Sequence, residues 1–307
     1  MIIDRLNRRV AELRNPSIVG LDTHLMLLPA AMAERVDHAD PMGSAAALIL
    51  EFNKGLVDAI ADIVPCVKVQ VAYYEQYGWQ GMKAFCETLA YARQKGLITI
   101  ADCKRNDIGS TASAYANAYL GRTPFPQGKI ASMDADFLTV NGYLGSDGVL
   151  PFVEACKAYD KGIFVLVKTS NPGSGELQDR SLGETTVFET MGDLVQAWGR
   201  ETLGETGYAA VGAVVGATHP KQGEILRKRL PEVPFLVPGY GAQGATAADL
   251  SGLFDARGFG AYVNSSRGII GAHKKSGLPY ADAARDAALA MAEDLRGALS
   301  AVGRMDY

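Results

Sequence analysis

Short apolar runs recur along the chain, separated by longer stretches in which apolar residues fall every three or four positions. The runs predict strands at Ile18–Leu21, Cys66–Val71, Leu97–Ala101, Phe137–Val140, Ile163–Val167, Ala213–Gly216, Phe235–Val237 and Ala261–Val263. Each is short and continuous, and several are β-branched, as in strands covered on both faces of a parallel sheet. Between them, Ile49, Phe52, Leu56, Ile60 and Ile63 share one helical face. Gly81–Lys95, Gly148–Ala158, Val187–Arg200, Gln222–Arg229 and the Ala-rich Asp282–Val302 read as further helices. Eight strands, each followed by helical sequence, predict an α/β fold of the (β/α)8 TIM barrel type rather than a doubly wound sheet. No Pro/Gly/Ser linker divides the chain, so residues 1–307 are expected to form one barrel domain. The Gly- and Ser-rich stretch Asn171–Gly183 is expected to be a mobile loop.

Composition narrows the function. Hydrophobic residues make up 48% and charged residues 21% of 307 residues, an ordinary globular balance. A net charge of −4 argues against a nucleic-acid partner, because neutralising phosphates along a strand needs a basic surface. No apolar run approaches the length of a membrane span, and the charged stretch Met1–Arg14 is not a secretory signal. Cys66, Cys86, Cys103 and Cys156 form no CxxC pair and sit among apolar neighbours, so reduced thiols and a cytoplasmic location are expected.

A parallel barrel places its chemistry at the carboxyl ends of its strands. Asp22 follows the first run and Lys68 lies within the second. Asp102, Lys104 and Asp107 follow the third, Asn141 the fourth, and Lys168-Thr-Ser170 the fifth. Residues two apart on a strand share a face, so Asp102 and Lys104 should both point into the barrel. Asp107 and Thr111 are four apart and could present together on one helical turn. Half-buried charges of both signs are costly unless paired, which favours function over scaffold. After the last two runs come Gly239, Gly241, Gln243, Gly244 and Arg267, backbone amides and a forked cation suited to a phosphate ester. His24, His38, His219 and His273 lack metal-ligand spacing, and the glycines match neither a dinucleotide site nor a P-loop. Tyr73, Tyr74, Tyr77 and Trp79 read as packing or an interface rather than a base-stacking platform.

These residues resemble the orotidine 5′-phosphate decarboxylases, in their longer bacterial form. The resemblance is carried in order by Gly20-Leu-Asp22, Val67-Lys68, Asp102-x-Lys104-x-x-Asp107-Ile108-x-x-Thr111, Thr139-Val-Asn141, Lys168-Thr-Ser170-Asn-Pro-Gly173, Val215-Gly-Ala-Thr218, Pro238-Gly-Tyr-Gly-Ala-Gln243-Gly and Ser266-Arg267. Val69 and Gly142 stand where the pattern has proline, and neither change removes a functional group. The resemblance implies a (β/α)8 barrel that removes CO₂ from orotidine 5′-phosphate to give uridine 5′-phosphate, the last step of de novo UMP synthesis. It implies catalysis by Lys68, Asp102, Lys104 and Asp107 as an alternating charge network. Asp22 and Lys68 would contact ribose hydroxyls, Ser170 the pyrimidine, and Gln243 with Arg267 the phosphate; Asn141 and Ser266 complete the substrate-binding set. Asp107 and Thr111 would reach across a homodimer interface into a shared site. No cofactor, no metal, no nucleic acid and no membrane partner is implied.

Decarboxylation at C6 leaves an electron pair with no carbonyl placed to delocalise it. The sequence shows no cofactor sink, so a fixed ammonium beside that charge is the chemistry wanted. Lys104 fits this role and can return a proton, with Asp102 and Asp107 favouring its charged form. Phosphate capture by Gln243 and Arg267 is expected to close Asn171–Gly183 and Gly239–Gly244 over the site. Three other readings stay open: a metal-dependent sugar-phosphate decarboxylase or aldolase, a Schiff-base aldolase using Lys104 or Lys168, and a catalytically silent nucleotide-binding protein.

Overall fold

A computed structural model describes residues 1–241 and 244–305. Eight parallel strands form a closed barrel: β1 (Ser17–Leu21), β2 (Cys66–Gln70), β3 (Ile98–Arg105), β4 (Phe137–Val140), β5 (Gly162–Lys168), β6 (Val211–Val215), β7 (Phe235–Pro238) and β8 (Ala261–Ser265). Each pairs with its sequence neighbours, and β1 closes the ring against β8. All eight lie where the apolar runs place them. The main difference is at β3, which runs on from Ala101 to Arg105 and so carries Asp102 and Lys104 within the strand.

Alternation along the strands splits the apolar residues into two layers. Val19, Val67, Ala101, Leu138, Val165, Val215, Val237 and Val263 face outward into the layer shared with the helices. There α2 (Pro41–Ile60) buries Ile49, Phe52, Leu56 and Ile60, the stripe read from spacing, and ends before Ile63. The other long helices are α3 (Gly78–Gln94), α4 (Gly109–Tyr119), α5 (Ser146–Tyr159), α6 (Val187–Gly199), α7 (Pro220–Arg229) and α8 (Tyr280–Ala301).

Inside the barrel, Ile18, Cys66, Ile98, Ile100, Phe137, Phe164, Val214, Leu236 and Tyr262 pack with Ile2, Ile3, Leu6 and Val10 of α1 (Ile2–Leu13). This amphipathic helix covers the amino-terminal end of the barrel. Asp4 accepts from the Thr206 N–H at 2.9 Å, and the Tyr262 hydroxyl donates to Asn7 Oδ1 at 2.6 Å. Burial alone would raise the Asp4 carboxyl; the Thr206 amide, the N-terminal ammonium and the Thr206 hydroxyl together outweigh it and hold the pKa at about 2.

Two slips in register shape the carboxyl-terminal mouth. Between β3 and β4, Ala101 faces Leu138 but Arg105 faces Val140, so β3 advances four residues while β4 advances two. Between β5 and β6, Leu166 faces Val214 and Lys168 faces Val215. An extra residue of this kind bends the strand and re-aims the side chains beyond it.

Candidate active site

The inward positions of β2 and β3 are apolar at their starts and charged at their ends. Cys66, Lys68 and Gln70 alternate on β2, and Ile98, Ile100, Asp102 and Lys104 on β3; Gln70 lies opposite Asp102 in the ladder. Lys68 Nζ donates to Asp102 Oδ2 at 2.7 Å and to Asp22 Oδ1 at 3.3 Å. Lys104 Nζ donates to Asp102 Oδ1 at 2.7 Å. The result is a row of alternating sign, Asp22–Lys68–Asp102–Lys104, running round the rim from β1 to β3. The side chains become more open toward Lys104: 4% exposed at Lys68, 9% at Asp102, 46% at Lys104.

Asp102 is saturated. Its Oδ2 also accepts from Gln70 Nε2 at 2.9 Å, and its Oδ1 from the Thr139 hydroxyl at 2.8 Å. Four donors on two oxygens fill the acceptor capacity of a carboxylate. Burial would raise its pKa, but the Lys68 and Lys104 ammoniums outweigh that and hold the carboxyl well below the usual range. Burial would likewise lower Lys68; the carboxylates of Asp102 and Asp22 instead hold it above an ordinary lysine. At the centre of the row, Lys68 and Asp102 therefore hold each other charged near neutral pH. Lys104 Nζ has one partner among the described residues, so two of its N–H donors are open to the mouth.

The backbone at Lys104 is unusual, with φ of 49°. It lies inside the β3–β4 slip, where the amides of Cys103 and Lys104 both donate to Thr139 Oγ1 at 2.9 Å. Gln70 and Thr139 were not singled out as site residues from the sequence. Their signal is the period of two: Gln70 follows Lys68 on the inward face of β2, and Thr139 follows Phe137 on that of β4.

Next around the barrel from β1 is β8, which presents Asn264, Ser266 and Arg267. Gly20 of β1 leaves room for this neighbour, since a Cβ there would stand 2.0 Å from Ser266 Oγ. Asn264 Nδ2 donates to Ser266 Oγ at 3.4 Å. Arg267 is exposed and opens the four-residue helix Arg267–Ile270. On the β7 side, Gly239 and Gly241 have φ of 108° and 69°, a conformation that favours glycine and turns the chain sharply. Gln243 lies outside the described residues.

Ser170 is half-buried beyond β5, with its backbone pressed against β6: a Cβ on Gly216 would meet Ser170 N at 2.7 Å, and the Thr218 hydroxyl donates to Ser170 O at 3.1 Å. Asn141 is exposed just past β4, and its Oδ1 accepts the Tyr143 N–H at 3.0 Å.

Asp107, expected to act across a dimer interface, forms no ion pair with its own chain among the described residues and accepts the Ile108 N–H at 2.8 Å. Two expectations need correction. Asp107 and Thr111 do not share a helical turn, because α4 starts at Gly109 after an extended Ile108 (φ −114°, ψ 159°). Lys168 does not point into the barrel. The β5 slip sets it opposite the outward-facing Val215, and its fully buried ammonium donates to Asp179 Oδ1 at 2.8 Å and Ser174 Oγ at 3.2 Å. That geometry leaves it no access to a carbonyl substrate in the mouth. The Asn171–Gly183 stretch holds a 3₁₀ turn, Pro172–Glu176, and half of a small hairpin, Ser181–Leu182 with Thr185–Thr186.

Comparison with known proteins gives a consistent answer. A family model described as "Orotidine 5′-phosphate decarboxylase / HUMPS family" matches residues 18–277. The orotidine 5′-phosphate decarboxylase of Rhodopirellula baltica is 46% identical over 300 residues, covering 95% of this chain and 98% of its own. That of Caldicellulosiruptor saccharolyticus is 40% identical over 273 residues, 88% of this chain and 90% of its own. The structure of Leishmania donovani OMP decarboxylase superposes with a TM-score of 0.74 at 29% identity, covering 97% of this chain and 99% of that one.

Proposed function

The chain belongs to the orotidine 5′-phosphate decarboxylase family, and from that premise we propose how its mouth carries out the reaction. The enzyme is a carboxy-lyase that converts orotidine 5′-phosphate to uridine 5′-phosphate and CO₂, the closing step of de novo UMP synthesis. The observation that carries the mechanism is the row Asp22–Lys68–Asp102–Lys104, with its last cation open to the mouth.

Heterolysis of the bond between C6 and its carboxylate leaves the electron pair on C6. Lys104 stands as a fixed ammonium next to that pair and then transfers a proton from Nζ to C6; its exposure lets water reprotonate it. Asp102 aims Lys104 and, as a locked anion, repels the substrate carboxylate. Lys68 neutralises Asp102 from behind while leaving Lys104 free. Asp22 and Lys68 meet the ribose hydroxyls, Ser170 the pyrimidine, Asn141 and Ser266 the rest of the nucleoside rim, and Gln243 with Arg267 the phosphate. The order of strands supports this layout, because β3, β2, β1 and β8 are successive neighbours.

Asp107 and Thr111 sit past the end of β3 and are not engaged by their own chain's row. A second copy, contributing Asp107 beside Lys104, gives them a use and makes the active unit a homodimer with shared sites. Four free cysteines suit a cytoplasmic setting; among the described residues no helix is long and apolar enough to cross a membrane.

The test is direct. EDTA-treated protein should consume orotidine 5′-phosphate, followed by its absorbance, with one UMP and one CO₂ released per substrate. Activity that vanishes with EDTA and returns with Mg²⁺ would favour the metal-dependent reading, and borohydride trapping of substrate on Lys104 a Schiff base; either result overturns the ammonium mechanism.

A further inference from the structure

The reacting lysine sits on a backbone that an L-residue avoids. Lys104 has φ of 49° in the middle of a register slip, a conformation that persists only where its surroundings over-determine it. The β3–β4 pairing skips Cys103 and Lys104, passing from Ala101 opposite Leu138 to Arg105 opposite Val140. One atom serves them instead: Thr139 Oγ1 accepts both N–H groups at 2.9 Å. A hydroxyl has two lone pairs and one proton. With both lone pairs engaged, the proton is left for Asp102 Oδ1 at 2.8 Å, the same oxygen that receives Lys104 Nζ at 2.7 Å. A closed circuit results, from the Lys104 amide through the Thr139 hydroxyl and the Asp102 carboxylate back to the Lys104 ammonium. Thr139 is 1% exposed, so it acts from behind the site.

We propose that Thr139 is a positioning residue for the decarboxylation, its hydroxyl fixing the backbone of Lys104 and, through Asp102, the location of its ammonium. Threonine suits the post better than serine because β-branching stiffens χ1 and holds the oxygen over the slip. Valine has the same shape but leaves two N–H groups, one buried and one part-buried, without this acceptor, and Asp102 one donor short. The inference rests on Lys104 being the cation and proton donor of the proposed mechanism.

The experiment compares Thr139→Val, Thr139→Ser and Lys104→Ala with the unaltered enzyme, measuring kcat and KM for orotidine 5′-phosphate across pH, with thermal melting to confirm folding. A displacement of about 1 Å at a reacting group costs on the order of 100-fold, so Thr139→Val should lose about that much in kcat. Its KM should change by less than about threefold, since the groups proposed for ribose and phosphate are untouched. Thr139→Ser should recover most of the loss. The acid limb of the kcat profile should move to higher pH in Thr139→Val, because Asp102 loses a donor to its charged form. Folded Thr139→Val with nearly unaltered kcat, or Thr139→Ser as impaired as Thr139→Val, overturns the proposal. If Thr139→Val does not fold, Thr139→Ala is judged by the same criteria. Turnover retained in Lys104→Ala would instead sink the underlying mechanism, whereas an inactive Lys104→Ala beside a normal Thr139→Val sinks only the positioning role.

Discussion

Replacing Lys104 by methionine should separate catalysis from stability. The substitution keeps an unbranched chain of similar length and removes the ammonium. Asp102 loses the contact at 2.7 Å but keeps Lys68, Gln70 and Thr139. The Lys104 side chain is 46% exposed, and ion pairs open to water contribute about 0–1 kcal/mol. For a chain of this size that corresponds to a melting shift of less than about 4 °C. Turnover should respond very differently. A unit charge about 4 Å from the developing carbanion, at an effective dielectric near 20, contributes about 4 kcal/mol, or roughly 1,000-fold in rate. Loss of the positioned proton donor removes a further factor of about 10²–10⁴. The combined fall in kcat is therefore on the order of 10⁵-fold or more. Continuous absorbance covers the first few decades, and labelled CO₂ release covers the rest. A folded Lys104→Met enzyme with kcat within about tenfold of the parent, a deficit of only ~1.4 kcal/mol, would refute the reasoning.

Three further outcomes are expected. Arg267→Ala should lower kcat/KM by about 30- to 5,000-fold, the range set by ~2–5 kcal/mol for truncating one partner of a charged pair; steady-state kinetics unchanged by it would remove the phosphate role. Mixing Lys104→Ala with Asp107→Ala, each inactive alone, should restore about a quarter of parental activity, because half the dimers become mixed and each carries one intact site; no recovery after subunit exchange would place Asp107 outside a shared site. For pH, Asp102 is held below its ordinary 3.8 and Lys68 above its ordinary 10.5. A depressed acid contributes stability above its unfolded value and loses it as pH falls toward its native one; a raised base contributes below its unfolded value and loses it as pH rises. Denaturant unfolding should thus show a constant advantage over Lys68→Met/Asp102→Asn between about pH 4 and 10; a marked slope between pH 5 and 9 would contradict this.

Much of this architecture is legible in the sequence, for a physical reason. Strands covered on both faces must be apolar throughout, so eight short runs announce the barrel, and the first polar residue after each run marks the mouth. Asp22 and Asp102 emerge this way, Lys68 as a charge inside its run and Lys104 two residues beyond Asp102, and the four do converge. Register is what the pattern hides. The β5 slip turns Lys168 outward although its spacing from Phe164 and Leu166 predicts an inward course. The β3 slip recruits Thr139, whose hydroxyl looks like any buried threonine until two orphaned amides are found beside it. Helix α4 escapes notice because it buries only Ala112, Ala116 and Tyr119, too small a stripe to read. The Ile2, Ile3, Leu6 and Val10 spacing of α1 carries a clear helical signal, although the residue pattern says nothing of where that helix docks.

That docking has a bearing on traffic. With Ile2, Ile3, Leu6 and Val10 wedged under Ile18, Ile98 and Tyr262, the cylinder is corked at its foot and solid through its waist. On the proposed mechanism, nucleotide and released gas would then both leave by the mouth through which the substrate came.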